Sequence, residues 1–268
     1  MRSGPSWEKK EKHCDPSAPD DDATGDQWDH TAIDADSRFV VSLVIGKRNG
    51  DRLREVVGDF AERTGGVAPA LTTTDDCSAY ANVLLDQYGE TVEPSTTGKL
   101  GRPRKPFKQW PEGAVYATVN KSYGKGAVTA VARKLVLGTE EDLAQALESS
   151  SVSGKINTAF VERQNGSDRG YNARKVRKTY KFSKDLLVHV AVSWWVMLCY
   201  NFHHLHAGLR QSCTDGTYLH RTPAMAIGLE RQPLTVRDLL TIQVVGFTPS
   251  STPTLADWAS QHARDPVP

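Results

Sequence analysis

The chain has 268 residues, with 38% hydrophobic and 24% charged side chains and a net charge of +1. That balance describes an ordinary globular protein with one sizeable core, or one domain with a substantial appendage, and the net charge alone predicts no partner. Cys14, Cys77, Cys199 and Cys213 lie far apart without a CxxC pair, which argues against a zinc knuckle and against a disulfide framework.

The opening residues MRSGPSWEKKEKH carry no apolar stretch of the kind that directs secretion, so a cytoplasmic location is expected. Residues 1–28 are polar and rich in Asp and Pro, and read as a partly disordered N-terminal segment. His30–Asp34 and Phe39–Lys47 read as two strands of a hairpin turning at Ala35–Arg38. Asp51–Arg63 places Leu53, Val56, Val57, Phe60 and Ala61 at helical spacing, and Gly65-Gly66 should stop that helix. Ala70–Thr74 is a short strand ending at Asp75, and Ser78–Tyr88 a second amphipathic helix.

The stretch 89–112 is rich in Pro, Gly, Lys and Arg and is expected to be irregular. Ala114–Asn120 and Ala127–Leu137 alternate like strands joined by a turn at Tyr123–Gly126. Thr139 opens a helix, with Asp142 placed to complete its cap. A further helix is predicted to contain Phe160 to Lys181, weakened by Gly166 and Gly170. The apolar run Leu186–Phe202, broken by His189, Ser193 and Asn201, reads as a buried helix rather than a membrane span, with Trp194, Trp195, Met197 and Leu198 in the core. After residue 207 the chain looks turn-rich, with one more helix near Val236–Ile242. Strands alternating with helices predict an α/β layer whose ligand groups gather at strand ends.

Charge is unevenly spread. Residues 1–29 hold eight acidic and four basic side chains, residues 99–134 nine basic and one acidic, and residues 155–184 nine basic and two acidic. Two basic segments in a near-neutral chain suggest faces that meet a polyanion. Within the first, Gly101–Pro106 has the form of an AT-hook core, in which Arg102, Arg104 and Lys105 would lie along a narrow A·T minor groove or contact phosphates. In the second, Arg163, Arg169, Arg174, Lys175, Arg177 and Lys178 follow Glu162 and would position a DNA backbone. HHLH at 203–206 lacks the acid or Cys spacing of a zinc site and reads as a helix end or a DNA-facing segment.

Two acids stand where such a layout would focus them: Asp75 at the end of a strand and Glu162 near the start of a helix. Carboxylates so placed can hold Mg²⁺ or Mn²⁺, which prefer oxygen ligands. Five blocks strengthen that reading: DQWDHTAIDADSRFVVSLVIGKR, LTTTDDCSAY, INTAFVERQNGSDRGYNARKVRKTYKFSK, YNFHHLHAGLR and HRTPAMAIGL. In this order they resemble the DDE transposases of insertion sequences over most of 26–240. The resemblance implies a ribonuclease-H-like mixed sheet flanked by helices over 29–207, with a basic loop and β-hairpin insertion at about 89–138, and a C-terminal tail over 208–268. It also implies two divalent metal ions, DNA as partner (transposon ends and target), self-association on DNA and no membrane. By motif position Asp75 matches the family's second carboxylate and Glu162 its third.

The family's first carboxylate precedes a segment resembling SWEKKEKHCDP, here at 6–16, which puts its expected position at about Met1 and Arg2. The chain is therefore expected to begin at or just after the first catalytic Asp, on a remnant of the first strand. Asp34 and Asp36 are the substitutes at hand, although Asp in such a place ordinarily forms a turn by bonding its own backbone. Two readings follow: metal-dependent DNA cleavage and strand transfer, lost if the first acid is missing, or DNA binding without catalysis through the AT-hook-like loop and basic helix. A ribonuclease-H-like nuclease that cuts without joining is a third.

Overall fold

A computed structural model describes residues 2–3, 13–15, 25–94, 105–176, 180–181, 183 and 185–242. The chain divides into two compact units, Met1–Pro233 and Leu234–Pro268.

The first unit opens with three antiparallel strands, β1 (Arg2–Ser3), β2 (Gln27–Ile33) and β3 (Val40–Gly46). Between β2 and β3, the Asp34 carboxylate accepts from the Ser37 amide at 2.9 Å and from the Ser37 hydroxyl. Helix α1 (Gly50–Arg63) starts where the Asn49 side chain accepts from the Arg52 amide at 3.0 Å, and buries Leu53, Val56, Val57 and Ala61 along one face. It stops at Gly65 and Gly66, whose φ values of 76° and 77° suit glycine. Next come β4 (Leu71–Asp75) and α2 (Ala79–Tyr88). The predicted irregular stretch contains a short antiparallel pair, β5 (Glu90–Val92) with β6 (Phe107–Gln109). Its pairing joins residues on either side of the Pro- and Gly-rich stretch, so local composition does not announce it.

β7 (Val115–Gly124) runs parallel to β4 and antiparallel to β8 (Ala127–Leu137). The expected insertion over 89–138 is corrected here. Val115, Ala117 and Val119 are at most 5% exposed and register with Leu71, Thr73 and Asp75, so the first half of β7 is a central strand. Among the described residues no ladder joins this sheet to β1-β2-β3. Helices α3 (Glu140–Ser149) and α4 (Ala159–Tyr171), a 3₁₀ turn at Ala173–Lys175, α5 (Leu186–Leu198) and a π-helical turn at Cys199–His203 follow. The helix predicted to contain residues 160–181 thus ends early, at Tyr171. At Asn172 the side chain accepts from the Arg174 amide at 3.1 Å, which favours the new turn over continued helix. The chain then forms a hairpin, β9 (His206–Ser212) with β10 (Tyr218–Arg221), and α6 (Pro223–Ala226). This hairpin corrects the tail expected from 208: its Leu209 is buried and its strands belong to the first compact unit. In the second unit α7 (Val236–Thr241) carries a capping box between Thr235 and Asp238.

Helices cover the sheets on both faces. Val44, Tyr116, Leu53, Val56, Val83 and Leu84 form one core with α1 and α2. Val115, Ala117 and Val119 pack on the opposite side against Leu143 of α3 and Ile156. Leu43 packs against Met197 and Tyr200, with Trp194 at the margin, which seats α5 against the first sheet. The architecture is α/β, with mixed strand pairing flanked by helices. Among the described residues one stretch, Leu186–His203 at mean hydropathy 1.3, is long and apolar enough by composition to cross a membrane. Its polar groups are engaged inside the fold. Ser193 donates to the His189 carbonyl at 2.8 Å, and the Asn201 amide exchanges two 2.9 Å bonds with the Val40 backbone.

Candidate functional site

Parallel pairing brings the C-terminal ends of β4 and β7 to one edge. Asp75 registers with Val119, and two residues further along β7 lies Lys121. The Lys121 ammonium sits 2.6 Å and 2.5 Å from the two carboxylate oxygens of Glu162 on α4. Thr158, one turn earlier, donates its hydroxyl to the same carboxylate at 2.5 Å. The Thr73 hydroxyl donates to the Asn157 carbonyl at 3.0 Å, which ties the start of α4 to β4. Sheet register and these tethers together carry Asp75 and Glu162 to the same end of the sheet. Asp76 joins them there, accepting from the Asn120 amide at 2.9 Å.

Each principal acid meets a cation. Burial alone would raise the Glu162 carboxyl, but the hydrogen bonds from Lys121 and Thr158 and the Lys121 charge outweigh it and hold the group below its ordinary value. Asp75, whose side chain is 67% exposed, has the Arg48 guanidinium 3.7 Å away. Arg48 also lies 4.9 Å from the Trp28 ring, so one side chain reaches from β2 to the end of β4.

Carboxylate oxygens suit a hard divalent cation, and Asp75 and Glu162 bring theirs to one end of the sheet. Among the described residues, however, no group of three or more His, Cys, Asp or Glu side chains is placed to hold a metal ion. The two acids with their basic partners therefore do not by themselves make a complete metal site.

The other sequence-predicted residues are dispersed. Asp34 is a turn former: its carboxylate is engaged by Ser37. Arg163 and Lys105 are exposed, and Arg169 and Arg174 are half-buried. Arg102, Arg104, Arg177 and Lys178 lie outside the described residues. Lys175 requires a correction. It is 3% exposed, with its ammonium 2.8 Å from Asp168 and 3.1 Å from Asp29, so it is not a surface contact for DNA. Sequence reading also missed Lys121 and Arg48, the two cations that hold the acids. Lys121 follows Val119 with strand alternation, and that was its one available signal.

Around Lys175 the fold encloses a polar cluster. His189 of α5 is 3% exposed, shares a 2.6 Å hydrogen bond with Ser183 through Nδ1, and has Nε2 4.0 Å from Asp29. Burial, and then the Lys175 charge, push its pKa down to about 4, against the attraction of Asp168. A histidine neutral when folded but titrating near 6.5 when unfolded gives stability that is full above pH 6.5. That stability is lost as pH falls toward 4, by up to about 3 kcal/mol. Burial raises the Asp168 carboxyl, whose contribution runs the opposite way: present at low pH and lost as the acid ionises. The measurement is therefore a difference. His189→Gln should flatten the rise of unfolding free energy between pH 5 and 6.5 relative to the parent in urea titrations; parallel curves would contradict the neutral buried imidazole.

No protein-family model, curated protein or solved structure matches this chain.

Proposed function

We propose that this chain is a DNA-processing protein of the DDE transposase type, in which Asp75 and Glu162 are the acids of a site for Mg²⁺ or Mn²⁺-dependent cleavage and strand transfer. The observation that carries the proposal is the meeting of Glu162 with the Asp75 end of the parallel β4–β7 pair through Lys121. The order of blocks described above supplies the family. A ribonuclease-H-like arrangement is supported by three leading antiparallel strands, α1, the parallel β4–β7 pair, and helices on both faces. The separation of β1-β2-β3 from β4-β7-β8 departs from the single sheet which that fold implies.

The test combines binding with activity. The full chain is incubated with supercoiled plasmid and with a linear duplex bearing free 3′-hydroxyls, in Mg²⁺ or Mn²⁺, and Mn²⁺ binding is followed by electron paramagnetic resonance. Asp75→Asn and Glu162→Gln should each abolish nicking and joining, a loss of at least about 10²-fold for groups that stabilise developing charge. Each should also weaken Mn²⁺ binding. Cleavage that survives in the double variant would refute the assignment. A second reading, DNA binding without catalysis, is favoured by the engagement of both acids with Arg48 and Lys121. It predicts salt-sensitive DNA binding with neither Mn²⁺ uptake nor cleavage.

A further inference from the structure

β7 leaves the core midway. Val115–Val119 are buried, whereas Asn120, Ser122 and Tyr123 are exposed, as is every residue of β8 from Ala127 to Lys134. The two strands continue together as a two-stranded ribbon with solvent on both faces. Its limb beyond the core, Asn120–Gly124 paired with Ala127–Ala132, reaches roughly 15–20 Å at about 3.3 Å per residue. The turn at its tip places Lys125 and Gly126 at φ 51° and 84°, the arrangement of a tight hairpin turn. A bulge between Ser122 and Tyr123 adds local twist. Tyr123 and Val128, 66% and 49% exposed, sit beside the turn with no core of their own to fill.

Charge identifies what such a ribbon meets. Residues 113–139 contain four basic side chains, Lys121, Lys125, Arg133 and Lys134, and no acid. Lys121 is held by Glu162, and Arg133 donates Nε to the Ile156 carbonyl at 2.7 Å. Among the described residues neither Lys125 nor Lys134 is within ion-pair reach of an acid. Register pairs Lys134 with Thr118, so Lys134 stands at the base of the ribbon on the strand face opposite that of Lys121 and Arg133. An edge-to-edge pairing of two copies through β8 would set these like charges close together without an acid to relieve them. DNA phosphates would relieve the charges of Lys125 and Lys134.

We propose that this β7–β8 ribbon enters the major groove of duplex DNA, with Tyr123 beside the turn against base edges and with Lys125 at the tip and Lys134 at the base against phosphates. The proposal rests on the DNA-processing reading above and names the surface that holds the substrate beside Glu162. A two-stranded ribbon fits a groove about 12 Å wide, whereas side chains on the core sheet cannot reach into one. Because Lys121 pins the base of the ribbon to Glu162, a duplex held on it passes the acids at the end of β4.

The test is fluorescence anisotropy of a 30-base-pair duplex of arbitrary sequence with the full chain, from about 50 to 200 mM salt. Lys125→Ala with Lys134→Ala should lower the slope of log affinity against log salt by about two, one per lost phosphate contact. Tyr123→Ala should weaken binding several-fold with the slope unchanged. All three side chains are exposed, so the variants should keep the parent's thermal midpoint. Lys125→Glu with Lys134→Glu provides a stronger form should the alanine effect be small. Parent-like affinity and slope in every variant would overturn the ribbon proposal, and if Asp75 and Glu162 still proved essential for cleavage the functional reading would stand without it. A parent chain that bound no duplex at all would remove both. Variants that split a dimer in sedimentation while binding DNA normally would assign the ribbon to self-association instead, against the proposal.

Discussion

Lys175→Met should lower the unfolding free energy by about 3–5 kcal/mol, the usual cost of removing one partner from a buried ion pair. The ammonium lies between Asp168 and Asp29, all three at most 6% exposed. Without it two carboxylates would face each other in a region of low dielectric, and one would have to take up a proton to fold. Methionine matches the length of lysine, so the loss reports charge rather than volume. Urea unfolding at neutral pH measures it. The companion Lys175→Met with Asp168→Leu should recover part of the loss, because one of the stranded carboxylates is then gone. A single variant as stable as the parent would mean that the cluster contributes nothing net. The consequence reaches the candidate site, since Asp168 and Glu162 share α4 and the cluster fastens the far end of that helix to β2.

Asn201→Leu should cost about 2–6 kcal/mol, because it strands a buried backbone N–H and a buried C=O, at about 1–3 kcal/mol each. The Asn201 amide is 1% exposed and bonds both the amide and the carbonyl of Val40 at 2.9 Å. It therefore does for the start of β3 what a neighbouring strand would do, and it joins the π-helical turn after α5 to the first sheet. Leucine is close in size, so the effect isolates the two hydrogen bonds. Thermal unfolding should show a lower midpoint, while Asn201→Asp should keep the bond from the Val40 amide and lose the one to its carbonyl. An unchanged midpoint in Asn201→Leu would show that water or a shifted backbone replaces both bonds.

These two residues mark the boundary of what local pattern can show. Asn201 looked like an interruption of an apolar helix, and Lys175 looked like one of a run of surface cations. Each acquires its role from a partner far away in sequence, 161 residues in the case of Val40. The same holds for Lys121, 41 residues from Glu162. The short pairs β5–β6 and β9–β10 were missed for a related reason. Their residues carry neither strict alternation nor β-branched runs, and the backbone hydrogen bonds that define them depend on the chain returning.

What could be read without any structure were the features that obey local rules. The 3.6-residue apolar spacing of α1, the glycine stop at 65–66, the strands β2, β3, β7 and β8, and the Thr139–Asp142 cap are all present, although β7 and β8 bury and expose whole halves where alternation was expected. So are the helix near 236–241 and the places of Asp75 at a strand end and Glu162 in the first turn of a helix. Sequence by itself therefore determined the α/β class, the element order over most of the chain, and the two acids on which the functional proposal rests. Tertiary structure alone decided that β7 is half core and half ribbon, and that Lys121 and Arg48 are the cations facing the acids. It also turned Lys175 inward. Periodicity records whether a side chain faces a core or solvent, while register, burial and charge pairing are settled only when distant segments meet.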